Sequence, residues 1–581
     1  MFNCFDTKAV AGKAISALVP VLLLGCSSLP LAPSKALAQS SQSPVSEQGS
    51  SQSDMDSQLM FELMIAELAG RRGQLDVAMA GYLRASEHTD DPRVSERATR
   101  LAMFGRQWGE AEKVARRWIS LDPDNKEAPQ ILGQTLLRQD NTEAAAQLYN
   151  ELLEGSNNRR QTLRDIQFEL QRNENPQASV FVMESIVFAY SKESEAHLGL
   201  ARAHITANDN VAALEAVETA VELMPGDTDS ILLRAQILSG SGKPEAAFSS
   251  IRAAMDANPD NADLRLGYAQ LLVEGGRHDE VGDVLDTIYN EATPKPDTLL
   301  TISLLAIESR RIDQARVYLE ALLASGSYSD QANFYLGRIS DDQKEYDTAI
   351  SYYDAVEQSD LQFTALLRAA ELTALTGNLE EGRSRLRHLS ASVSNPALQP
   401  RLVTAESRML QNANQSAEAV LVLSDGLERF PDDTELLYAR GLAANSAGDD
   451  AMMIIDLNRL IELDPQNAHA LNALGYHYAD ENIELELAED LLVKANALLP
   501  DDPAIMDSLG WLRFRQGRYD EAIVLLENAY QVYPDPEIAA HLAEALWLSG
   551  AQTEAQTLIE AALESNPDDE RLLTVKNTVF K

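Results

Sequence analysis

The chain has 581 residues, and its 45% content of hydrophobic residues is typical of a folded protein. Ninety acidic residues against 48 basic ones give a formal net charge of −42. This charge argues against a nucleic-acid partner, because phosphate binding needs basic patches. An acidic surface attracts basic partners, although a merely solvated acidic surface explains the same composition. The two cysteines, Cys4 and Cys26, both lie near the amino terminus, so the sequence supplies no disulfide framework and no cysteine metal site.

Residues 1–25 have the pattern of an export signal. Lys8 and Lys13 provide the positively charged start, and an apolar run follows that ends at Leu24. This run is too short to span a bilayer as a permanent anchor. We therefore expect the segment to be removed on export.

Cys26 follows the apolar run directly, in the sequence Leu-Leu-Gly-Cys. This arrangement resembles the lipobox of bacterial lipoproteins, in which the cysteine becomes the new amino terminus and carries acyl chains. Ser27 follows where an aspartate would retain the protein in the inner membrane, so the resemblance implies a lipid anchor in the outer membrane, facing the periplasm. Residues 36–38, Ala-Leu-Ala, resemble an ordinary signal-peptidase site, which leaves a soluble periplasmic product as the alternative.

Residues 26–57 are rich in serine, glutamine and proline and contain few large apolar side chains. Such a segment cannot bury enough apolar surface to offset the entropy that ordering would cost. The composition predicts a disordered tether between the lipid anchor and the folded part.

Helical repeats begin at about residue 58 and continue to the carboxyl terminus. Five prolines in the last part of the chain are separated by 34, 35, 34 and 33 residues: Pro431, Pro465, Pro500, Pro534 and Pro567. A fixed period of this length predicts stacked helical hairpins, about fifteen in total. A polar closing helix is expected over residues 568–581.

The regularity of the repeats varies along the chain. It predicts an amino-terminal arm over residues 58–260, degenerate central repeats over 261–400 and a carboxyl-terminal arm over 401–581. The centre is expected to be a bend or a boundary between two superhelical halves. Residues 158–193 are irregular, with Pro176 breaking the pattern, and we expect a degenerate pair of helices there.

The repeat over residues 507–534 shows the pattern most clearly. Small and apolar residues recur at helical spacing on both sides of a glycine turn, and a proline closes the unit. The positions are filled in order by Leu509, Gly510, Gly517, Ala522, Leu526, Ala529 and Pro534. This pattern resembles a tetratricopeptide repeat (TPR), although Arg513 stands where a tyrosine is usual. The resemblance implies an all-α fold, a right-handed superhelical solenoid whose paired helices pack as antiparallel hairpins.

The sequence contains no convincing catalytic or metal-binding motif. Residues 240–243, Gly-Ser-Gly-Lys, lack the first glycine of a phosphate-binding loop. The histidine pairs have neither the spacing of a zinc protease nor an evident third ligand: His197 with His204, and His469 with His477. No nucleophile elbow is present. We therefore expect no enzymatic activity, no metal and no cofactor.

A TPR stack lines its concave groove with the first helix of each hairpin, and the position within the repeat predicts which side chains face the groove. Eight residues of the last four complete repeats are expected there: Tyr438, Asn472, Tyr476, Asp507, Trp511, Phe514, His541 and Trp547. Aromatic rings with a few polar groups suit the capture of an extended peptide or a partner helix. For Phe514 and Trp547, packing between repeats stays open as an alternative. Asn472 alone matches the carboxylate clamp of chaperone-binding TPR proteins, so that activity is not expected.

A closer resemblance involves the first helices of the last three repeats, at residues 470–476, 507–511 and 541–547. Together with Cys26 and the overall length, they resemble a family of proteobacterial outer-membrane TPR lipoproteins. One type in that family is the adaptor of a periplasmic carboxyl-terminal processing protease that degrades peptidoglycan cross-link hydrolases. The resemblance implies a non-catalytic scaffold that brings protease and substrate together. A structural assembly lipoprotein of an outer-membrane protein or polysaccharide-export complex is the alternative.

Overall fold

A computed structural model describes residues 57–290 and 294–580 of the chain. Within these ranges there are 31 α-helices and no strand, which confirms the all-α fold that the sequence predicts. No helix of these ranges is both long and apolar enough to cross a membrane. The predictions for the export signal, for Cys26 and for the tether before Ser57 concern residues outside the described ranges.

The described chain divides into two compact units. The amino-terminal unit contains residues 57–290, 294–295 and 301–315, and the carboxyl-terminal unit contains residues 296–300 and 316–580. The division falls within the segment 261–400, where the sequence pattern is least regular.

The helices of the amino-terminal unit pair in chain order into hairpins. They are α1 (Ser57–Arg71), α2 (Leu75–Glu87), α3 (Pro92–Phe104), α4 (Trp108–Leu121), α5 (Glu127–Arg138), α6 (Thr142–Glu154), α7 (Arg159–Gln171), α8 (Pro176–Ala189), α9 (Ser194–Thr206), α10 (Asn210–Leu223), α11 (Thr228–Gly240), α12 (Pro244–Ala257), α13 (Ala262–Glu274) and α14 (His278–Tyr289). Two further helices contribute residues to both units: α15 (Pro296–Glu308) and α16 (Ile312–Ala324).

The carboxyl-terminal unit continues the same arrangement of helices. They are α17 (Ser329–Asp342), α18 (Tyr346–Asp354), α19 (Gln362–Leu375), α20 (Leu379–Ser392), α21 (Gln399–Asn412), α22 (Ser416–Arg429), α23 (Thr434–Ala447), α24 (Asp450–Leu463), α25 (Ala468–Asp480), α26 (Leu485–Leu498), α27 (Pro503–Arg515), α28 (Tyr519–Val532), α29 (Pro536–Ser549), α30 (Gln552–Ser565) and α31 (Glu570–Thr574). A π-helical turn over Val575–Val579 follows α31, and both pack on α29. The helices α1 to α30 follow one another as fifteen successive pairs, in agreement with the about fifteen hairpins that the sequence predicts.

A left-handed backbone residue ends the first helix in fourteen of the fifteen hairpins. In the turn between α27 and α28 this residue is Gly517, with φ of 78°. The next amide, of Arg518, donates a 2.9 Å hydrogen bond to the carbonyl oxygen of Arg513, which satisfies a carbonyl at the end of the helix. The fourteen residues are Gly73, Arg106, Asp140, Asn208, Gly242, Gly276, Arg310, Lys344, Gly377, Asn414, Gly448, Asn482, Gly517 and Gly550.

Close approach of paired helices depends on the small residue in the first helix. A Cβ atom on Gly510 of α27 would lie 2.7 Å from Cγ of Leu526 on α28, so a glycine is needed for these helices to pack at this distance. Ala522 and Leu526 are fully buried in the same contact. Arg513, which stands where a tyrosine is usual, extends to α26 and pairs with Glu489 at 2.6 Å.

The irregular segment over residues 158–193 forms α7 and α8, the degenerate helix pair that the sequence predicts. Pro176 begins α8 rather than interrupting a helix, because a proline at the first helical position lacks only an amide hydrogen that needs no helical partner. The side chain of Asn175 caps the same helix through the amide of Ala178, at 3.3 Å. This hairpin is the one without a left-handed turn residue, and its α8 packs extensively on α6 of the preceding hairpin.

Candidate functional site

The eight residues predicted for the groove lie on four first helices of the carboxyl-terminal unit. Tyr438 lies on α23, Asn472 and Tyr476 on α25, Asp507, Trp511 and Phe514 on α27, and His541 and Trp547 on α29. The structure brings five of them together in what we call the carboxyl-terminal cluster: Tyr476, Asp507, Trp511, Phe514 and His541. The cluster spans α25, α27 and α29, which pack side by side in that order.

Three rings of the cluster form a continuous stack. The indole of Trp511 lies between the other two, with its centroid 4.1 Å from the ring of His541 and 4.7 Å from that of Phe514. Both pairs are close to parallel, at 19° and 13°. All three residues are buried, so the stack contributes apolar area as well as ring contacts. Phe514 therefore packs within its own helix against Trp511, and this contact accounts for one aromatic residue of the predicted groove.

Asp507 and His541 form a buried pair beside this stack. Nδ1 of the imidazole lies 2.9 Å from Oδ1 of the carboxylate, and the two residues are 0% and 7% exposed. Burial disfavours a charged imidazole, but the carboxylate of Asp507 outweighs it, with Glu537 and Glu544 adding to the effect, so the pKa of His541 is raised. His541 therefore keeps its proton to a higher pH than an ordinary histidine does. Its contact with Asp507 links α29 to α27.

Tyr476 connects the cluster to a second polar pair. Its hydroxyl donates a 2.9 Å hydrogen bond to Oε1 of Glu537, in the first turn of α29, and Arg571 on α31 donates to Oε2 of the same carboxylate at 2.6 Å. Burial, and then the charge of Glu537, raise the pKa of Tyr476, so its hydroxyl remains a donor. Neither Glu537 nor Arg571 was expected from the sequence pattern. Glu537 lies four residues before His541, one helical turn away on the same face, and this spacing is the signal that could have identified it.

The indole N–H of Trp511 also has a hydrogen-bond acceptor. It donates a 3.1 Å hydrogen bond to Oδ1 of Asp480, the last residue of α25. Arg515 lies over the same ring, with its guanidinium carbon 5.4 Å from the centroid, and donates from Nε to the carbonyl oxygen of Ala479 at 3.1 Å. The cations near the cluster therefore already have acceptors of their own.

Three of the predicted residues lie outside the cluster. Tyr438 is half-buried, and burial followed by the charge of Asp502 raises its pKa to about 12. Trp547 stacks on Phe580 near the end of the described chain, with ring centroids 4.5 Å apart. This is a packing contact, the alternative to a groove position that the sequence left open for Trp547. Asn472 is half-buried on α25, four residues before Tyr476.

Two acceptor oxygens of this region are buried without a hydrogen-bond donor among the described residues: Oδ2 of Asp507 and Oδ1 of Asn472. Leaving a buried acceptor unsatisfied costs about 1–3 kcal/mol, and more for a charged group. Asn472 and Asp507 are 35 residues apart and occupy equivalent places on two first helices, α25 and α27, that pack on each other.

An aspartate–histidine pair can also activate a nucleophile, so a hydroxyl group beside the pair would matter. Ser508, adjacent to Asp507, is buried and donates from Oγ to the carbonyl oxygen of Ala504 at 2.8 Å. Trp511 covers one face of the imidazole. No group of three potential histidine, cysteine or carboxylate metal ligands occurs in the described part of the chain. The cluster thus combines stacked aromatic rings with the acceptor oxygens of buried carboxylates.

The repeats of this chain are similar to those of known proteins. Two family models, both described as tetratricopeptide repeat, match the chain, one over residues 238–300 and 513–577 and the other over residues 98–159 and 300–362. TPR repeat-containing protein PA4667 of Pseudomonas aeruginosa is 31% identical over 492 residues, which cover 84% of this chain and 82% of that protein. The chain belongs to the tetratricopeptide-repeat family.

A second TPR relative matches less of the chain. TPR repeat-containing protein YpiA of Bacillus subtilis is 27% identical over 168 residues, 28% of this chain and 37% of that protein. Among solved structures, that of Naa15/Naa10 bound to HypK-THB has 15% identity and a TM-score of 0.30, covering 87% of this chain and 92% of that one. The crystal structure of the APC/C hetero-tetramer Cut9-Hcn1 has 14% identity and a TM-score of 0.27, covering 78% and 96%. TPR repeats generally bind protein partners.

Proposed function

We propose that this TPR chain is a non-catalytic scaffold lipoprotein of the Gram-negative envelope. In this proposal, acylated Cys26 anchors it in the outer membrane, and residues 26–57 let the repeats extend into the periplasm. The repeats bind a periplasmic carboxyl-terminal processing protease and its peptidoglycan-hydrolase substrates and bring them together. The membrane contributes the anchoring surface only, and nucleic acid is not a partner.

One observation carries the binding part of the proposal. Aromatic and polar side chains on three consecutive first helices converge in the carboxyl-terminal cluster, although repeat stacking alone requires only small and apolar residues there. Aromatic rings bury large areas at low entropy cost, and such residues dominate the binding energy of protein interfaces. Tyr476 at the edge of the cluster and Asn472, one turn earlier on the same helix, are half-buried, so this part of α25 is the one that a partner can contact.

The test is a mild cross-linking pull-down from envelope membranes, followed by mass spectrometry. The intact protein is compared with an Asn472→Ala, Tyr476→Ala double variant and with Val524→Ala, a control on α28 whose side chain is 58% exposed. Circular dichroism checks that each variant remains helical. The expected result is recovery of a serine protease together with wall hydrolases, with at least one of them lost in the double variant and retained in the control.

Two outcomes would contradict the proposal. Stoichiometric recovery of an integral barrel or a polysaccharide-export complex, unchanged in the double variant, would instead favour a structural assembly lipoprotein. A Cys26→Ser variant tests the anchor separately, because loss of the acylated thiol is expected to move the chain from the membrane fraction to the soluble fraction. Equal membrane association of this variant would remove the lipoprotein part of the proposal.

A further inference from the structure

Asp507 is the most deeply buried polar member of the carboxyl-terminal cluster, and only half of its carboxylate is satisfied. Oδ1 faces His541 at 2.9 Å, whereas Oδ2 has no donor among the described residues, at 0% exposure of the whole residue. The repeat-equivalent residue on α25, Asn472, also has a buried oxygen without a donor. A native fold rarely leaves two such acceptors at neighbouring positions, so the pair points to a donor that arrives from outside the fold.

Nearby cationic groups do not supply that donor. Arg571 is bonded to Glu537, and Arg515 to the carbonyl oxygen of Ala479. The carboxylates around the cluster include Asp480 and Glu544, as well as Asp507 and Glu537, all of which act on Tyr476 or His541. The site is therefore rich in acceptors, and a ligand that carries a carboxylate or phosphate would meet repulsion there.

We propose that the face formed by α25, α27 and α29 binds a basic, extended segment of a partner protein, with one lysine or arginine side chain held by Asp507 Oδ2 and Asn472 Oδ1. This inference rests on the proposed scaffold function and names the chemistry of the segment that the scaffold recognises. The cationic group donates to both oxygens, and its aliphatic stem lies against Tyr476, the half-buried aromatic residue at the edge of the cluster.

Two features support a basic segment over an apolar one. An apolar side chain would cover the two acceptors without satisfying them, whereas an ammonium or guanidinium group forms charge-assisted hydrogen bonds. The formal net charge of −42 also attracts a cationic partner at long range, which raises the rate of encounter. The approach runs past Asn472 and Tyr476, because these two residues keep partial exposure while Asp507 has none.

The experiment measures binding of a fluorescein-labelled peptide of alternating glycine and lysine, ten residues long, to the full chain by fluorescence anisotropy at about 150 mM salt. The same peptide with all lysines acetylated is the probe control. Asp507→Asn is expected to weaken binding about tenfold, because one charge-assisted hydrogen bond is lost. Asp425→Asn, an exposed carboxylate on α22, removes the same charge away from the cluster and is expected to change affinity less than twofold.

Asn472→Asp provides a test that does not depend on weakening the fold. It adds a second carboxylate at the half-buried edge of the site, so affinity for the lysine peptide is expected to rise several-fold while the acetylated peptide is unaffected. Equal effects of Asp507→Asn and Asp425→Asn, no gain from Asn472→Asp, or equal binding of the acetylated peptide would each overturn the inference. The scaffold proposal depends instead on which partners the intact chain recovers, so the two can fail separately.

Discussion

The hydroxyl of Tyr476 donates a 2.9 Å hydrogen bond to Glu537, which lies 61 residues further along the chain. The bond joins α25 to α29, the first helices of two hairpins that are separated in sequence by the whole hairpin α27–α28. Arg571 donates to the other oxygen of Glu537 at 2.6 Å and extends the connection to α31. Contacts in a repeat protein usually join nearest neighbours, so this chain of bonds couples the last repeats more tightly than stacking alone would.

Removing the hydroxyl of Tyr476 tests this coupling. Tyr476→Phe keeps the ring but deletes the bond to Glu537, and we expect the free energy of unfolding of the carboxyl-terminal unit to fall by about 1–2 kcal/mol. Urea unfolding followed by tryptophan fluorescence measures the change. Tyr530→Phe is the matched control, because the hydroxyl of Tyr530 makes no hydrogen bond within the described residues. A loss of equal size in both variants would show that the bond does not contribute.

The Asp507–His541 pair predicts a pH dependence of stability. In the folded chain the pKa of His541 is raised, whereas in the unfolded chain it is about 6.5. The contribution of protonated His541 is therefore complete below pH of about 6.5 and declines as the pH rises through its pKa in the folded state, because the folded state holds this proton more tightly. Asp535, Glu537 and Glu544 carry the other charges that act on the pair.

The measurement is hydrogen exchange of peptides from α27 and α29 at several pH values, compared with His541→Gln and corrected for intrinsic exchange rates. The wild type is expected to be better protected than His541→Gln at pH 6, and this difference in protection is expected to shrink as the pH rises to about 9. A difference that stays constant over this range would mean that His541 does not titrate there. A growing difference would mean that the sign of its pKa shift is wrong.

The repeat architecture could be predicted because each hairpin imposes the same local requirements. Alanines at the helix contact and glycines at the turn recur at a fixed period, and they predict the all-α fold of about fifteen hairpins. Of the seven non-glycine turn residues, four are asparagine or aspartate, which also tolerate a left-handed backbone, and three carry no such local signal: Arg106, Arg310 and Lys344. Arg310 and Lys344 adopt φ of 59° and 62° at places where a glycine would be expected from local preference. The stacking of the two helices holds these turns, and stacking energies cannot be read from a short window of sequence.

The candidate site could be predicted only in part, for a related reason. The repeat period and the expected groove-facing side of each helix predicted that Asp507, Trp511 and His541 lie on neighbouring first helices. The structure brings these three into contact. The roles of Glu537 and Arg571 depend on how far the closing helix reaches over α29, which the repeat pattern does not specify. Exposure was also not predictable, since ring stacking decides how much of each aromatic residue remains accessible.

A buried carboxyl group in the amino-terminal unit gives a prediction independent of the cluster. Glu169 on α7 accepts a 2.7 Å hydrogen bond from the hydroxyl of Tyr149 on α6, and burial raises its pKa to about 8. An unfolded glutamate has a pKa of about 4.3, so the folded state binds the proton more tightly and this unit loses stability as the pH rises from about 4.3 to 8.

Glu169→Gln replaces the protonated group by a neutral group of the same shape. The variant is expected to match the wild type near pH 5 and to be more stable than it at pH 9, by on the order of a few kcal/mol. Unfolding in urea at the two pH values measures this difference. Glu143→Gln, at an exposed position of α6, is the control and is expected to show no such change with pH. If Glu169→Gln instead lost stability at pH 9, an ionised Glu169 would have to be the favoured form.

The close approach of α27 and α28 gives the last prediction. A methyl group on Gly510 would lie 2.7 Å from Cγ of Leu526, so Gly510→Ala is expected to destabilise the carboxyl-terminal unit by about 1–3 kcal/mol. Shortening the opposing side chain removes the clash, so the loss in Gly510→Ala, Leu526→Ala should be smaller than the sum of the two single losses. Gly517→Ala is the comparison, since its methyl group would meet no atom within 4 Å and its cost of about 1–2 kcal/mol would come from the left-handed backbone alone. Strict additivity of the Gly510 and Leu526 variants in urea unfolding would mean that the helices separate to accept the methyl group, and that the glycine is not what sets their distance.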